Sequence, residues 1–182
     1  MNIRPYLNHL PQLGKQVFID PSAVVIGKVT LADDVSIWPT AVVRGDVNRI
    51  AIGARTNVQD GSILHVTHDG DYAPGGKSLE VGADVTVGHR VVLHACTVGN
   101  FCLVGMGSII LDGAVLEDYV MVGAGSVVAP GKRLQSRGLY VGSPARRVRE
   151  LTEREISFLP YSAAHYVKLK NEYMGRGEGD RE

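Results

Sequence analysis

The chain has 182 residues, enough for one domain with a sizeable hydrophobic core and one added element. Nineteen basic and nineteen acidic residues give a formal charge of zero, so no nucleic-acid or anionic-membrane surface is expected. The sequence contains neither a long apolar span nor a secretory signal, which favours a cytoplasmic protein. In a reducing compartment, Cys96 and Cys102 are expected to be buried free thiols rather than a disulfide.

The first twenty residues look like a lead-in to the main fold. Pro5, Pro11 and Pro21 disfavour a helix in this stretch, and residues 17–19 suit a first strand.

From Val25 onward, aliphatic residues recur every six positions. Three extra residues near position 50, a polar glycine-rich segment (67–78) and one step of five residues interrupt the series, which then resumes each time. Its members are Val25, Leu31, Ile37, Val43, Ile52, Val58, Leu64, Val81, Val87, Leu93, Val98, Val104, Ile110, Leu116, Val122 and Val128.

A six-residue period predicts a parallel β-helix, in which each hexapeptide forms a short strand and a corner, and three hexapeptides form one coil. A β-sandwich with glycine-rich turns is the alternative, but so many in-phase positions favour the β-helix. Small or β-branched residues usually stand four after each aliphatic one: Val29, Val35, Ala41, Thr56, Val85, Thr97, Cys102, Ser108, Ala114 and Ser126. Turn residues are expected to supply positive φ angles: Gly27, Gly53, Gly82, Gly99, Asn100, Gly105 and Gly123.

The repeat ends near Gly131 and is followed by a last strand with a proline-marked turn (139–148). Thr152 and Glu155 have the spacing of a capping box, which predicts a helix start. Five apolar residues at helical spacing then define one face, with Pro160 as a kink or a boundary between two helices: Leu159, Ala163, Tyr166, Leu169 and Tyr173. We therefore predict a β-helix domain (1–148), a C-terminal helix (149–174) and a disordered tail (175–182).

The repeat predicts where three histidines lie relative to one another. His65 and His94 each follow the inward residue of the third hexapeptide in their coil, so they lie on one face, roughly 4.8 Å apart. Imidazole is a common metal ligand, and this separation suits a shared ion. His89 belongs to the preceding face, and it reaches such a site only from a second subunit packed around a threefold axis. The spacing therefore predicts a homotrimer with metal sites between subunits.

Three motifs resemble the γ-class carbonic anhydrase family of hexapeptide-repeat proteins, especially its shorter bacterial members. They are R-G-D (44–46), N-V-Q-D-G-S-I-L-H (57–65) and V-G-H-R-V-V-L-H (87–94). The resemblance implies an all-β, left-handed parallel β-helix with a C-terminal α-helix, assembled as a trimer. It also implies Zn²⁺, with Fe²⁺ or Co²⁺ as alternatives, bound by His65, His94 and a neighbour's His89.

The same resemblance assigns roles to further residues. Arg44 and Asp46 would form ionic contacts across the subunit interface, supported by Asp60. Gln59 would face the water on the metal, and Tyr161 would approach from the helix.

The implied reaction is hydration of CO₂ to bicarbonate by a zinc-bound hydroxide. The sequence departs from the family at the proton shuttle, because archetypal members carry glutamates where this chain has Val47 and His68. His68 could relay protons instead, since an unperturbed imidazole titrates near neutrality. Without a shuttle the activity would be slow.

Two other functions remain open at this point. A hexapeptide-repeat acyltransferase or CoA-thioester hydrolase shares the fold, and G-S-P-A (142–145) does not discriminate between them. A non-catalytic scaffold is consistent with the missing glutamates.

Overall fold

The computed structural model of the chain describes residues 2–175. In chain order its elements are β1 (Asn2–Arg4), β2 (Gln12–Leu13), β3 (Phe18–Ile19), β4 (Val24–Leu31), β5 (Ser36–Ile37), β6 (Val42–Ile52), β7 (Asn57–Val58), β8 (Ile63–His65), β9 (Leu79–Val81), β10 (Thr86–Val87), β11 (Val92–His94), β12 (Thr97–Val98), β13 (Leu103–Val104), β14 (Ile109–Ile110), β15 (Val115–Leu116), β16 (Met121–Val122), β17 (Val127–Val128), β18 (Arg133–Leu134), β19 (Gly138–Val141), β20 (Arg146–Glu150) and α1 (Glu153–Tyr173).

The strands form the three faces of a left-handed parallel β-helix. On the first face β8, β11, β14 and β17 stack in parallel above the first half of β6, and on the second face β9, β12, β15 and β18 stack above its second half. The third face runs from β3 through β5, β7, β10, β13 and β16 to β19. The long strands β4 and β6 bend around one corner and so join the first two faces.

The interior of the prism is filled by the hexapeptide residues. All sixteen aliphatic positions of the predicted series are buried in one hydrophobic cluster. Burying a Val or Leu side chain contributes about 1.5–3 kcal/mol, and each coil adds three such residues. The predicted β-helix is confirmed, and the sandwich alternative is wrong because the stacked strands pair in parallel.

Small residues at the corners follow the prediction with one exception. Thr97 is exposed, because the five-residue step between Leu93 and Val98 shifts the phase by one position. The buried small residue is instead Cys96, two before the next aliphatic residue.

The glycines have a different role from the predicted one at most corners. Of the predicted turn residues only Gly27 has a positive φ. The positive φ angles at other corners belong to different glycines, such as Gly61 and Gly107, and to other residues, such as Asp84 and Tyr119. Gly53 is needed for close approach instead, since a Cβ there would lie 2.5 Å from the Gly82 carbonyl carbon of the next coil. The same crowding occurs at Gly105, where a Cβ would lie 2.5 Å from the Ala124 nitrogen.

Both cysteines are free and buried, as expected. Burial raises the pKa of each thiol, Cys96 and Cys102, to about 12. They are packing residues of the core rather than nucleophiles.

The C-terminal region closes the prism and then returns along it. β20 pairs antiparallel with β19 and extends to Glu150, so the predicted domain boundary at residue 148 falls within a strand. The helix is continuous through Pro160, so the alternative of a boundary between two helices is wrong. Leu159 and Ala163, on either side of the proline, are both buried, and this packing holds the two halves in line.

No helix of residues 2–175 is long and apolar enough to cross a membrane. Apart from Gly175, the predicted disordered tail lies outside the described residues.

The helix is attached to the prism by aromatic packing and one buried charge. The ring of Trp38 lies 5.5 Å from that of Tyr166 and 5.3 Å from that of Tyr173. Lys170 is fully buried, and its Nζ lies 2.8 Å from Oδ1 of Asp34 at a corner of the prism. Because a buried ammonium is tolerated only with a partner, this ion pair fixes the register of α1.

The predicted capping box is present and contains an ionisable carboxylate, Glu155. Thr152 caps the helix, and Glu155 accepts hydrogen bonds from the Thr152 backbone and from Arg149. The Arg149 contact, then the Thr152 bonds, lower the pKa of Glu155 from 4.5 to about 2. A carboxylate with a depressed pKa stabilises the folded state above its unfolded pKa, and this stabilisation is lost as pH falls from 4.5 toward 2.

We therefore expect Glu155→Gln to weaken the pH dependence of helix docking between pH 4.5 and 2. Trp38, the single tryptophan, reports docking through its fluorescence because it contacts the helix. Glu172→Gln, at an exposed position of the same helix, is the control and should keep the parental pH profile. Identical profiles for all three proteins would contradict the assignment.

Candidate metal centre

His65 and His94 lie side by side at the ends of neighbouring strands. β8 and β11 pair in parallel with His65 directly opposite His94. Nδ1 of His65 lies 3.2 Å from Nε2 of His94, and the ring centroids are 5.2 Å apart. The two imidazoles therefore present one nitrogen each to the same point on the first face.

Each imidazole contacts a carboxylate through the ring nitrogen that does not face the other histidine. Nδ1 of His94 lies 2.6 Å from Oδ1 of Asp112, and Nε2 of His65 lies 3.0 Å from Oδ1 of Asp46. Thr67 donates its hydroxyl to Asp112, and Arg44 pairs with Asp46. Such carboxylates orient metal-binding histidines and increase the basicity of the opposite nitrogen.

Hydrogen bonds and burial shift the pKa values of Asp46, Asp112 and His65. Burial acts to raise the pKa of Asp46, but hydrogen bonds from Arg44 and His65 outweigh it and bring that pKa to about 2. For Asp112, hydrogen bonds from Thr67 and His94 likewise overcome burial and lower the pKa. Burial lowers the pKa of His65 from its ordinary value, with the hydrogen bond to Asp46 opposing, and this favours the neutral imidazole.

The donor set fits a metal ion. A neutral imidazole carries one N–H, and Asp46 and Asp112 each accept such a proton. If both rings are neutral and donate to these carboxylates, the nitrogens of His65 and His94 that face each other both carry lone pairs, which repel unless a cation lies between them. Two nitrogens bound to one tetrahedral Zn²⁺ lie about 3.3 Å apart, close to the distance between this pair.

His89 is on a different face and is built into a second cluster. It follows β10 on the third face, where its Nδ1 lies 2.9 Å from Oδ2 of Asp60. With Nδ1 as the donor to this carboxylate, Nε2 keeps its lone pair and is the nitrogen that could bind a metal ion. Within residues 2–175, no three His, Cys, Asp or Glu side chains converge on one point. Within the described residues of one chain, His89 therefore lies apart from the pair formed by His65 and His94.

The second cluster borders a cavity of about 570 Å³ between the third face and α1. Gln59, His89 and Tyr161 line it, together with His165 and apolar residues of β13 and β16. Gln59 is 5% exposed, and its Nε2 donates to Oδ1 of Asn57 at 3.1 Å. This contact leaves Oε1 as the free acceptor of the Gln59 amide.

Comparison with known proteins decides the family. The model for bacterial transferase hexapeptide (six repeats) matches residues 95–130. The chain is 59% identical over 175 residues to protein YrdA of Escherichia coli, covering 96% of this chain and 95% of that protein. It is 40% identical over 176 residues to a carbonic anhydrase of Geobacillus kaustophilus, covering 97% of this chain and 89% of that protein. It is also 44% identical over 161 residues to mitochondrial gamma carbonic anhydrase 2 of Arabidopsis thaliana, covering 87% of this chain and 57% of that protein. The chain belongs to the γ-class carbonic anhydrase family.

A solved structure with the same fold bears a different functional title. It is a putative acetyltransferase of Bacillus cereus, 37% identical, with a TM-score of 0.88 and coverage of 96% of this chain and 99% of that one. The γ-class carbonic anhydrase fold is therefore shared with proteins named as transferases.

The remaining residues predicted from the family resemblance are placed as follows. Arg44 pairs with Asp46 of its own chain. Asp60 contacts His89.

His68 is exposed on the polar segment that follows β8. Tyr161 is 65% exposed at the rim of the cavity, where its ring stacks on that of His165 with centroids 6.5 Å apart.

Sequence reasoning missed Asp112, which the structure places in direct contact with His94. The spacing contained a signal, because Asp112 follows His94 by 18 residues, which is one coil of three hexapeptides. Asp46 precedes His65 by 19 residues in a comparable relation. Thr67 was missed because it is the first residue of the polar segment that interrupts the repeat.

Proposed function

We propose that this chain forms a homotrimer that binds zinc between its subunits and hydrates CO₂ to bicarbonate. The facing nitrogens of His65 and His94, each backed by a carboxylate, carry the proposal. His89 of a neighbouring subunit would complete the ligand set, since it is the remaining histidine with a carboxylate-oriented ring next to a cavity. Fe²⁺ or Co²⁺ could take the same ligands.

The residues around the ion would have distinct tasks. Zn²⁺, when bound to three neutral imidazoles, lowers the pKa of a water ligand toward 7 and so supplies a nucleophile at neutral pH. Asp46 and Asp112 hold the rings of His65 and His94 in place. Gln59 offers Oε1 as an acceptor, and because it shares a cavity with His89, it would come from the same neighbouring subunit.

A proton must leave the site in each turnover, and His68 is our candidate carrier. It is exposed and directly follows Thr67, which bonds Asp112. Val47 has no titratable group at the position where archetypal family members carry a glutamate. His68 is the titratable side chain at the other such position.

The test is stopped-flow CO₂ hydration by zinc-replete protein. We expect kcat of His68→Ala to fall by about tenfold or more in weak buffer, with kcat/KM unchanged and with recovery in imidazole buffer, because proton transfer is separate from CO₂ attack. His9→Ala, in the lead-in, is the matched control. A zinc-replete protein with no rate above buffer would exclude CO₂ hydration.

Thioester hydrolysis or acyl transfer is the second candidate, and one observation favours it. The cavity next to His89 is lined largely by apolar residues, including Leu103, Met106 and Met121, and could hold an acyl chain. Release of free CoA from short-chain and medium-chain acyl-CoA would support this candidate. Carbon dioxide hydration without thioester cleavage would exclude it.

A further inference from the structure

A chain of buried side-chain hydrogen bonds connects the C-terminal helix to Gln59. Ser162 on α1 and Thr86 on β10 share a hydrogen bond of 2.9 Å between their hydroxyl oxygens. Nδ2 of Asn57 donates to the Thr86 hydroxyl at 3.1 Å, and Oδ1 of Asn57 accepts from Gln59. All four residues are buried.

The direction of these bonds is fixed by one backbone carbonyl. The oxygen of Val85 can only accept, and it lies 3.3 Å from Nδ2 of Asn57. The amide of Asn57 must therefore point its nitrogen at Val85 and its oxygen at Gln59. Gln59 then has to present Nε2 to Asn57 and Oε1 away from it.

The bond to Val85 is too long to hold the Asn57 amide by itself. At 3.3 Å it lies beyond the usual range for N–H···O bonds, whereas the bond to Thr86 lies within it. The Thr86 hydroxyl is therefore the second point that fixes the amide plane. Ser162 in turn holds the Thr86 hydroxyl in the rotamer that accepts from Asn57.

Ser162 can do this only while α1 is docked. The C-terminal part of the helix is attached to the prism by Tyr166, Lys170 and Tyr173. Ser162 is the helix residue that joins the chain of hydrogen bonds leading to Gln59. Removal of the helix would expose the Thr86 hydroxyl to water. Water molecules can form hydrogen bonds with this hydroxyl in many orientations, so its rotamer would no longer be fixed.

We propose that Thr86 and Ser162 are positioning residues that couple docking of the C-terminal helix to the orientation of the Gln59 amide. The proposal rests on the proposed function for its kinetic consequence, though not for its structural one. Neither residue is expected to contact the substrate.

The structural consequence is tested by NMR on the full-length protein, with the Gln59 side-chain amide signals assigned by their loss in Gln59→Glu. We expect Thr86→Val to shift and broaden these signals, and Ser162→Ala to do so to a smaller degree. Thr86→Ser, which keeps the hydroxyl, should restore the parental signals. Ser157→Ala is the control, because Ser157 lies on the same helix and donates to the Glu153 carbonyl instead.

The kinetic consequence is tested by CO₂ hydration at full zinc occupancy. Thr86→Val should lower kcat by about tenfold to a hundredfold, as outer residues of metal sites commonly do, with zinc content unchanged. Unaltered Gln59 signals in Thr86→Val would overturn the proposal whatever the activity. Altered signals with a parental hydration rate would overturn the kinetic coupling. Absence of hydration in the parent would refute the proposed function and leave the NMR result to decide the positioning role.

Discussion

Two variants that each lack zinc are expected to restore metal binding when they are combined. In the proposed trimer each site takes its histidine pair from one chain and His89 from a neighbour. His89→Ala keeps an intact pair, and His94→Ala keeps an intact His89. Random 1:1 co-assembly should therefore complete about one quarter of the sites, because half of the pairs and half of the neighbouring His89 residues are intact.

The measurement is zinc per subunit after co-refolding, compared with each variant refolded alone. A site built within one chain predicts no recovery, because every chain then lacks one ligand. A second mixture, His65→Ala with His94→Ala, is the control. Both variants damage the same pair, so this mixture should stay without zinc under either arrangement. Recovery in the control, or none in the test mixture, would contradict the intersubunit site.

Replacement of Asp112 by asparagine is expected to weaken zinc binding by about 10-fold to 100-fold. The asparagine side chain can still contact Nδ1 of His94, but it lacks the negative charge that increases the basicity of the opposite nitrogen. Its amide nitrogen also lets the ring adopt the other tautomer, which places a proton on Nε2, the nitrogen that faces His65. The affinity is measured by competition with a chromophoric chelator.

Asp71→Asn is the matched control for this variant. Asp71 is exposed on the polar segment, so the substitution removes the same charge from the same region without touching a histidine. Zinc affinity should stay at the parental value. Equal losses of zinc affinity in the two variants would show a general electrostatic effect of net charge. No loss of affinity in either variant would show that Asp112 does not support zinc binding.

The site was partly accessible to sequence reasoning, and the reason lies in the repeat. A fixed 18-residue coil converts sequence spacing into position, so the pairing of His65 with His94 followed from their places after Leu64 and Leu93. Asp112 obeys the same spacing, since it follows His94 by one coil. Thr86 and Ser162 could not have been found in this way, because they are 76 residues apart and meet only when α1 packs on the third face.

The sequence by itself determined the β-helix, its buried aliphatic residues and the capped C-terminal helix. Each of these depends on a local sequence pattern. A six-residue period with inward aliphatic side chains is satisfied by a parallel β-helix. The tertiary structure alone decided that Pro160 would not break the helix, because burial on both sides of it outweighs the lost backbone bond. It also decided that Gly53 and Gly105 serve close coil-to-coil approach, and that carboxylates stand behind all three histidines. These features depend on which side chains of different coils and elements meet, and a periodic sequence does not specify those contacts.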